Sequence, residues 1–100
     1  MAYSVQTVGP VQAYLRGISG LSRAGRLKLL GGYLHMLREH GDALRAEPSR
    51  RPSDTLFRYD HVFLDASRVW ALTVVVDDSA AVYGVLRVVY AELVWRDASP

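Results

Sequence analysis

The sequence predicts an α+β fold with the element order β-α-α-β-β-β, in which two helices pack on one face of a four-stranded, mostly antiparallel sheet. Three observations predict this fold. Apolar and polar residues alternate near the N-terminus, apolar residues recur at helical spacing through the rest of the first half, and strand-like sequence follows from Thr55. The chain has 100 residues, half of them hydrophobic, which suits a single domain over residues 1–100.

A short strand and a short helix open the chain. Tyr3, Val5 and Thr7 alternate with polar residues, which predicts a strand with one buried face. Pro10 suits the first turn of a helix, because its ring fixes φ and an N–H there would have no helical partner. The apolar residues of this helix recur at helical spacing: Val11, Tyr14, Leu15 and Ile18. Two glycines, Gly17 and Gly20, limit it to about two turns.

A long second helix should begin after Ser22, whose hydroxyl can cap it. Its leucines form a stripe that we expect to be buried: Leu27, Leu30, Leu34, Leu37 and Leu44. The pair Gly31 and Gly32 is unfavourable in a helix by roughly 1 kcal/mol each relative to Ala, so we expect close packing against the sheet or the first helix. Gly41 either ends the helix or marks a bend, and Pro48 and Pro52 indicate a loop.

In the second half of the chain, the sequence pattern is typical of β-strands. From Leu56 to Leu64, successive side chains should point to opposite faces of a strand, so that Phe57, His61 and Phe63 share one face. Residues 69–76 are apolar on both faces, as in a central strand, and residues 85–93 form the last strand. The turns at residues 65–67 and 77–79 are short, which predicts an antiparallel meander.

Two helices on one side of this sheet would leave its other side under-covered. We expect Trp70, Val74 and alternate residues of the last strand to lie on the uncovered side. A curled sheet, a protein partner or a second copy of the chain could hide them, because large exposed apolar patches usually mark interfaces.

Composition excludes several classes of protein. The chain has no cysteine, which excludes disulfide scaffolds and cysteine-based zinc sites. No apolar run approaches the length of a membrane span, so we expect no membrane association. The first residues lack the basic and apolar regions of a signal peptide, and a cytoplasmic location is therefore expected.

Charge is unevenly distributed along the chain. Residues 1–51 carry a net charge of +5 and residues 52–100 a net charge of −3. Eleven of the twelve basic residues are arginine, which favours bidentate contacts with phosphate or carboxylate. The basic half suits either a polyanion such as RNA or DNA, or a solvated helical surface, and both interpretations stay open.

Candidate catalytic side chains are few. His61 is either a histidine at the edge of the core or a general acid–base. The adjacent Asp77 and Asp78 are typical of a solvated turn rather than of a metal site, and no metal or cofactor is predicted. Arg58, Arg68 and Arg87 lie on or beside the predicted meander. They either form a cationic patch suited to phosphate or make salt bridges, and the acids available for such bridges are Asp60, Asp65 and Glu92.

The pattern resembles the RelE/ParE toxin superfamily. The similar segments are residues 3–5 leading into a helix, the long second helix ending before Pro48, and the strand-like residues 57–64, 69–76 and 85–90. The resemblance covers about residues 2–93. It implies the toxin half of a bacterial toxin–antitoxin pair, neutralised by an antitoxin protein that wraps its surface. RelE-like members cut mRNA on the ribosome without a metal, and ParE-like members inhibit DNA gyrase.

In the RNA-cleaving branch, basic residues cluster on the meander strands. Carried over by position, this implies Arg68 and Arg87 as groups on phosphate, and His61 or Tyr90 as groups that transfer protons. Arg58 and Arg96 would contact substrate, which is RNA, free or on the ribosome. The second meander strand departs from the family, since Asp60 and Val62 stand where lysines are expected. The alternative is therefore a non-enzymatic interaction domain, for example one that forms a homodimer through the sheet.

Overall fold

The computed structural model describes residues 2–98 as one helical layer on a four-stranded sheet. The elements are β1 Ser4–Thr7, α1 Gly9–Arg16, α2 Arg23–Ala46, β2 Leu56–Asp65, β3 Arg68–Asp77 and β4 Val85–Asp97. Short 3-10 turns cover Pro48–Arg50 and Ala81–Tyr83. The strand order is β1-β4-β3-β2, with β1 parallel to β4 and the other pairs antiparallel. The predicted α+β class and element order are confirmed.

A two-residue turn fixes the register of the β2–β3 hairpin. Ala66 and Ser67 have φ values of 50° and 63°, the left-handed pair that a type I′ turn requires. The hairpin therefore pairs Phe63 with Trp70. Because directly paired residues share a face, Trp70 joins the core beneath the helices and is 2% exposed.

The expectation that Trp70 and Val74 lie on the uncovered face was wrong, since both are buried on the helix-covered face. When a strand is apolar on both faces, its sequence does not show which residues face the helices. In β3 the hairpin turn determines this instead. The uncovered face of β3 carries the other set of residues: Val69, Ala71, Thr73 and Val75.

The predicted buried stripe of α2 was also partly wrong. The helix packs on the sheet through Leu29, Tyr33 and Leu37, which are 2% exposed or less. Leu37 and Leu44 are buried as predicted, and Leu34 is half-buried against the core. Leu27 is 69% exposed and Leu30 is 38% exposed. Apolar residues cover a wide arc of this helix, so helical spacing alone fits two adjacent stripes.

Glycine lets α2 approach the sheet closely. A Cβ added to Gly32 would lie 2.2 Å from His61 Nε2, and one added to Gly25 would lie within 2.7 Å of the Asp65 carboxylate. The predicted packing role is therefore confirmed for Gly32. It is wrong for Gly31, whose Cβ would meet nothing within 4 Å. The helix continues through Gly41 and ends at Ala46.

The N-terminus of α2 is held by a carboxylate from the sheet. The Ser22 hydroxyl accepts a hydrogen bond from Gly25 N at 3.0 Å, which confirms the predicted cap. Asp65 accepts hydrogen bonds from both the hydroxyl and the backbone N–H of Ser22. These bonds, chiefly that from the hydroxyl, lower the pKa of Asp65 below its usual range.

A buried acid joins three segments near the other end of α2. Asp78 is 6% exposed, and its carboxylate accepts hydrogen bonds from Arg45 Nε at 2.8 Å and from Arg51. Desolvation acts to raise the Asp78 pKa, but the hydrogen bonds and charges of the two arginines together lower it. The expected solvated turn was wrong for this residue, because Asp78 links α2, the loop after it and the β3–β4 connection.

Candidate functional site on the uncovered sheet face

The uncovered face of the sheet carries two polar rows that cross β2, β3 and β4. In the first row, Arg58 pairs with Val75 and Val75 with Tyr90. In the second row, Thr73 lies between Asp60 and Glu92. Neighbouring strands are about 5 Å apart, so Arg58 and Tyr90 start roughly 10 Å apart across a small apolar floor. An arginine and a tyrosine at that separation can both reach one anion placed above Val75.

A β-bulge brings Tyr90 onto this face. Val76 pairs with Val88 and Val75 with Tyr90, which leaves Val89 as an extra residue in β4. Strict alternation from the buried Val88 would have placed Tyr90 under the helices. The bulge reverses the phase, so that Tyr90 points to the uncovered face and is 48% exposed.

Tyr90 is paired with a carboxylate. Its hydroxyl donates a hydrogen bond to Glu92 Oε2 at 2.8 Å. This hydrogen bond, followed by the negative charge of Glu92, raises the pKa of Tyr90. The phenol therefore keeps its proton at neutral pH and is held next to a proton acceptor. Glu92 was not predicted as a site residue, although its position two residues from Tyr90 in one strand was a usable signal.

Arg58 is only loosely held. Its Nε lies 3.2 Å from both carboxylate oxygens of Asp60, whose Oδ1 also accepts a hydrogen bond from Thr73 at 2.7 Å. The two charged side chains are 58% and 42% exposed, and such surface pairs contribute at most about 1 kcal/mol. Arg58 can therefore turn to another anion at low cost.

Two further predicted residues share the uncovered face. Arg87 pairs with Asp77 in the row next to that of Tyr90. The positive charge of Arg87 helps to lower the pKa of Asp77. The hydrogen bonds from the Ser79 side chain and backbone are the larger causes of that lowering. Arg96 pairs with Val69 at the opposite end of the face. The arginines of the uncovered face thus lie at both of its ends. Arg58 and Arg87 lie closest to Tyr90, and Arg96 lies at the other end.

His61 and Arg68 are on the other face, under the helices. The His61 ring lies between Tyr59 and Phe63, and its Nε2 is 3.3 Å from the carbonyl oxygen of Lys28. A carbonyl only accepts, so Nε2 carries the proton and Nδ1 accepts from the Tyr59 hydroxyl at 3.2 Å. The guanidinium of Arg68 stacks 3.8 Å from the ring centre of Trp95.

The structure therefore divides the four predicted catalytic residues between two faces. Tyr90 and Arg87 lie on the uncovered face, and His61 and Arg68 lie on the covered one. Arg68 begins β3 and Asp77 ends it, so the two residues are about 30 Å apart at the usual rise per residue. Arg87 lies beside Asp77 and is therefore equally far from Arg68. A single phosphate cannot contact both arginines. The residues that the structure brings together are Arg58, Arg87, Tyr90 and Glu92.

An apolar area adjoins the polar rows. Val62, Ala71 and Val94 form the next row, followed by Leu64 and Val69. Val62, Leu64 and Val94 are each more than half exposed. The uncovered face thus combines a polar half that can hold an anion with an apolar half that can contact another molecule.

Comparison with known proteins gives no relative. No protein-family model, curated protein or solved structure matches this chain. Within residues 2–98, neither helix has both the length and the apolar character needed to cross a bilayer. In the same part of the chain, no three side chains of the types that bind metals converge.

Proposed function

We propose that this chain is the toxin component of a RelE/ParE-type toxin–antitoxin pair, and that its uncovered sheet face cleaves RNA without a metal. The observation that carries the proposal is the pairing of Tyr90 with Glu92 beside Arg58 and Arg87 on one exposed face. The β-α-α-β-β-β order with both helices on the opposite face supports the same family. On this proposal the partners are RNA, free or on the ribosome, and a cognate antitoxin.

The proposed reaction is the attack of an RNA 2′-hydroxyl on the neighbouring phosphorus. Glu92 takes the 2′-hydroxyl proton, and the 2′-oxygen forms a bond to phosphorus while the bond to the 5′-oxygen breaks. Tyr90 gives its proton to that 5′-oxygen, so the products are a 2′,3′-cyclic phosphate and a 5′-hydroxyl. Arg58 and Arg87 stabilise the additional negative charge on the phosphorane.

The distribution of charge on the site fits these roles. The Tyr90 phenol is protonated at neutral pH, as an acid must be before the reaction, and its hydroxyl lies 2.8 Å from Glu92 Oε2. Arg58 is held by an exposed ion pair of small energy, which a phosphate with two free oxygens can displace. His61 and Arg68 have structural roles in this proposal, because both lie on the covered face, where His61 contacts Lys28 of α2 and Arg68 stacks on Trp95.

Cleavage of labelled mRNA by the purified chain, with and without ribosomes, tests the proposal. Tyr90→Phe should lower the cleavage rate by at least about a hundredfold, because it removes the proton donor and keeps the ring. Tyr83→Phe is the matched control, since Tyr83 is 83% exposed and outside the site. Cleavage that is equally fast in both variants would contradict the proposed roles.

A second candidate function is favoured by the apolar half of the same face. Val62, Leu64 and Val94 are exposed side by side, which suits a non-enzymatic domain that binds a partner or a second copy of itself. Light scattering after size exclusion tests the homodimer. A dimer that Val62→Asp converts to monomer, together with absent RNA cleavage, would favour this function over the ribonuclease.

A further inference from the structure

A groove lies between α1 and α2, on the opposite side of the sheet from the uncovered face. Its volume is about 490 Å³. Leu15, Leu30 and Leu34 form its apolar walls, and Arg16 and Arg26 lie along it. This groove has no part in the proposed cleavage, and its chemistry is different, because it joins leucines to arginines.

The groove continues along an exposed apolar stripe of α2. Leu27, Leu30 and Leu34 are spaced three and four residues apart, so they follow one another along the helix surface. Leu27 is 69% exposed and Leu30 is 38% exposed, while Leu29, Tyr33 and Leu37, on a neighbouring stripe of the helix, are buried in the core. Leu27 and Leu30 therefore present apolar surface to solvent, and the half-buried Leu34 joins this surface to the core.

Arginines surround the stripe. Arg23 precedes Leu27 by four residues and Arg38 follows Leu34 by four, so the stripe begins and ends in a positive charge. In the described part of the chain, the side chains of Arg16, Arg23 and Arg38 make no hydrogen bond or ion pair. The guanidinium of Arg26 is fixed on the carbonyl oxygens of Leu15 and Ile18.

Gly31 leaves space beside the stripe. It follows Leu30 directly and is exposed, and a Cβ added to it would meet nothing within 4 Å. A glycine inside a helix costs roughly 1 kcal/mol relative to Ala, and no close contact among residues 2–98 explains this one. A small residue at this point lets the backbone of another helix approach closely.

We propose that this groove binds an acidic amphipathic helix of a partner protein. The leucines would receive the apolar face of that helix, and Arg16, Arg23 and Arg38 would pair with Glu or Asp residues that flank this apolar face. A second copy of the chain fits less well, because it would place the same arginines against each other. RNA would satisfy the arginines, but it would leave the leucines against its sugars and phosphates.

A designed peptide gives a direct test with the full chain. The probe is a helix of about three heptads with Leu at its buried positions and Glu on both edges, and the control peptide carries Lys in place of Glu. Fluorescence anisotropy should give a dissociation constant of about 100 µM or lower for the Glu peptide, and one at least tenfold higher for the Lys peptide. Absence of binding to the Glu peptide would overturn the proposal.

Variants separate the groove from other surfaces. Leu27→Asp should weaken binding of the Glu peptide at least tenfold, whereas Val82→Asp, at another exposed apolar position, should leave it unchanged. The double variant Arg23→Glu with Arg38→Glu should reverse the preference and favour the Lys peptide. If a short RNA binds more tightly than the Glu peptide and Leu27→Asp leaves RNA binding unchanged, the arginines serve nucleic acid and the proposal is wrong.

Discussion

The buried carboxylate of Asp78 should stabilise the fold more than any exposed ion pair of the chain. Its side chain is 4% exposed, and it accepts charged hydrogen bonds from Arg45, at 2.8 Å, and from Arg51. Asp78→Asn keeps the shape and removes the charge, which leaves two guanidiniums without an anion. Breaking a buried pair costs about 3–5 kcal/mol, and these arginines are 32% and 24% exposed, so we expect about 2–3 kcal/mol.

Thermal and urea unfolding of Asp78→Asn measure this loss. For a domain of this size, 2 kcal/mol corresponds to a fall in Tm of about 10 °C. The matched control is Asp54→Asn, which removes an exposed carboxylate and should change the free energy of unfolding by less than about 0.5 kcal/mol. An equal effect of the two substitutions would refute the importance assigned to the buried ion pairs.

The same residue sets a dependence of stability on pH. The Asp78 pKa in the folded chain is lowered from its ordinary value of 3.8, so its stabilising contribution is complete above that value. The contribution is lost as pH falls below 3.8 and through the folded pKa. Asp78→Asn should therefore lose less stability on acidification than the natural chain does. If the free energy of unfolding of the two proteins falls equally with pH in the acid range, the lowered pKa is contradicted.

Three further predictions concern α2 and the site. Gly32→Ala should destabilise the chain by about 1–3 kcal/mol in urea unfolding, because the new methyl group meets His61, whereas Gly31→Ala should stabilise it by up to about 1 kcal/mol. Leu29→Ala should cost about 2–5 kcal/mol and Leu27→Ala less than about 1 kcal/mol, and equal losses would contradict the assigned buried stripe. In Glu92→Gln, an NMR titration should show the Tyr90 pKa falling towards 10.0, and an unchanged pKa would exclude the pairing with Glu92.

The fold could be predicted where the sequence has a single periodicity. Residues 57–63 alternate clearly, and the face predicted for Phe57, His61 and Phe63 is the covered face in the structure. Residues 69–76 are apolar throughout, so the phase of β3 depended on the two-residue turn at Ala66 and Ser67. The arc of leucines on α2 was ambiguous for the same reason, since two adjacent stripes fit one spacing.

The site required information that spacing does not carry. Arg68 and Arg87 are both arginines of the meander, but strand register places them on opposite faces. The bulge at Val89 moves Tyr90 to the uncovered face, and no residue type at that point signals a bulge. The burial of Asp78 depends on arginines distant in sequence, and a pair of adjacent acids in a turn gives no indication of it.

Growth of bacteria after induced expression tests the central claim most directly, with protein and DNA synthesis followed by pulse labelling in the same culture. The account predicts that the natural chain and Tyr83→Phe arrest growth with a rapid loss of protein synthesis, and that Tyr90→Phe does not. Normal growth with soluble, folded natural chain present would contradict the toxin function. An equal arrest by Tyr90→Phe, or a loss of DNA synthesis alone, would contradict cleavage of RNA by the uncovered face.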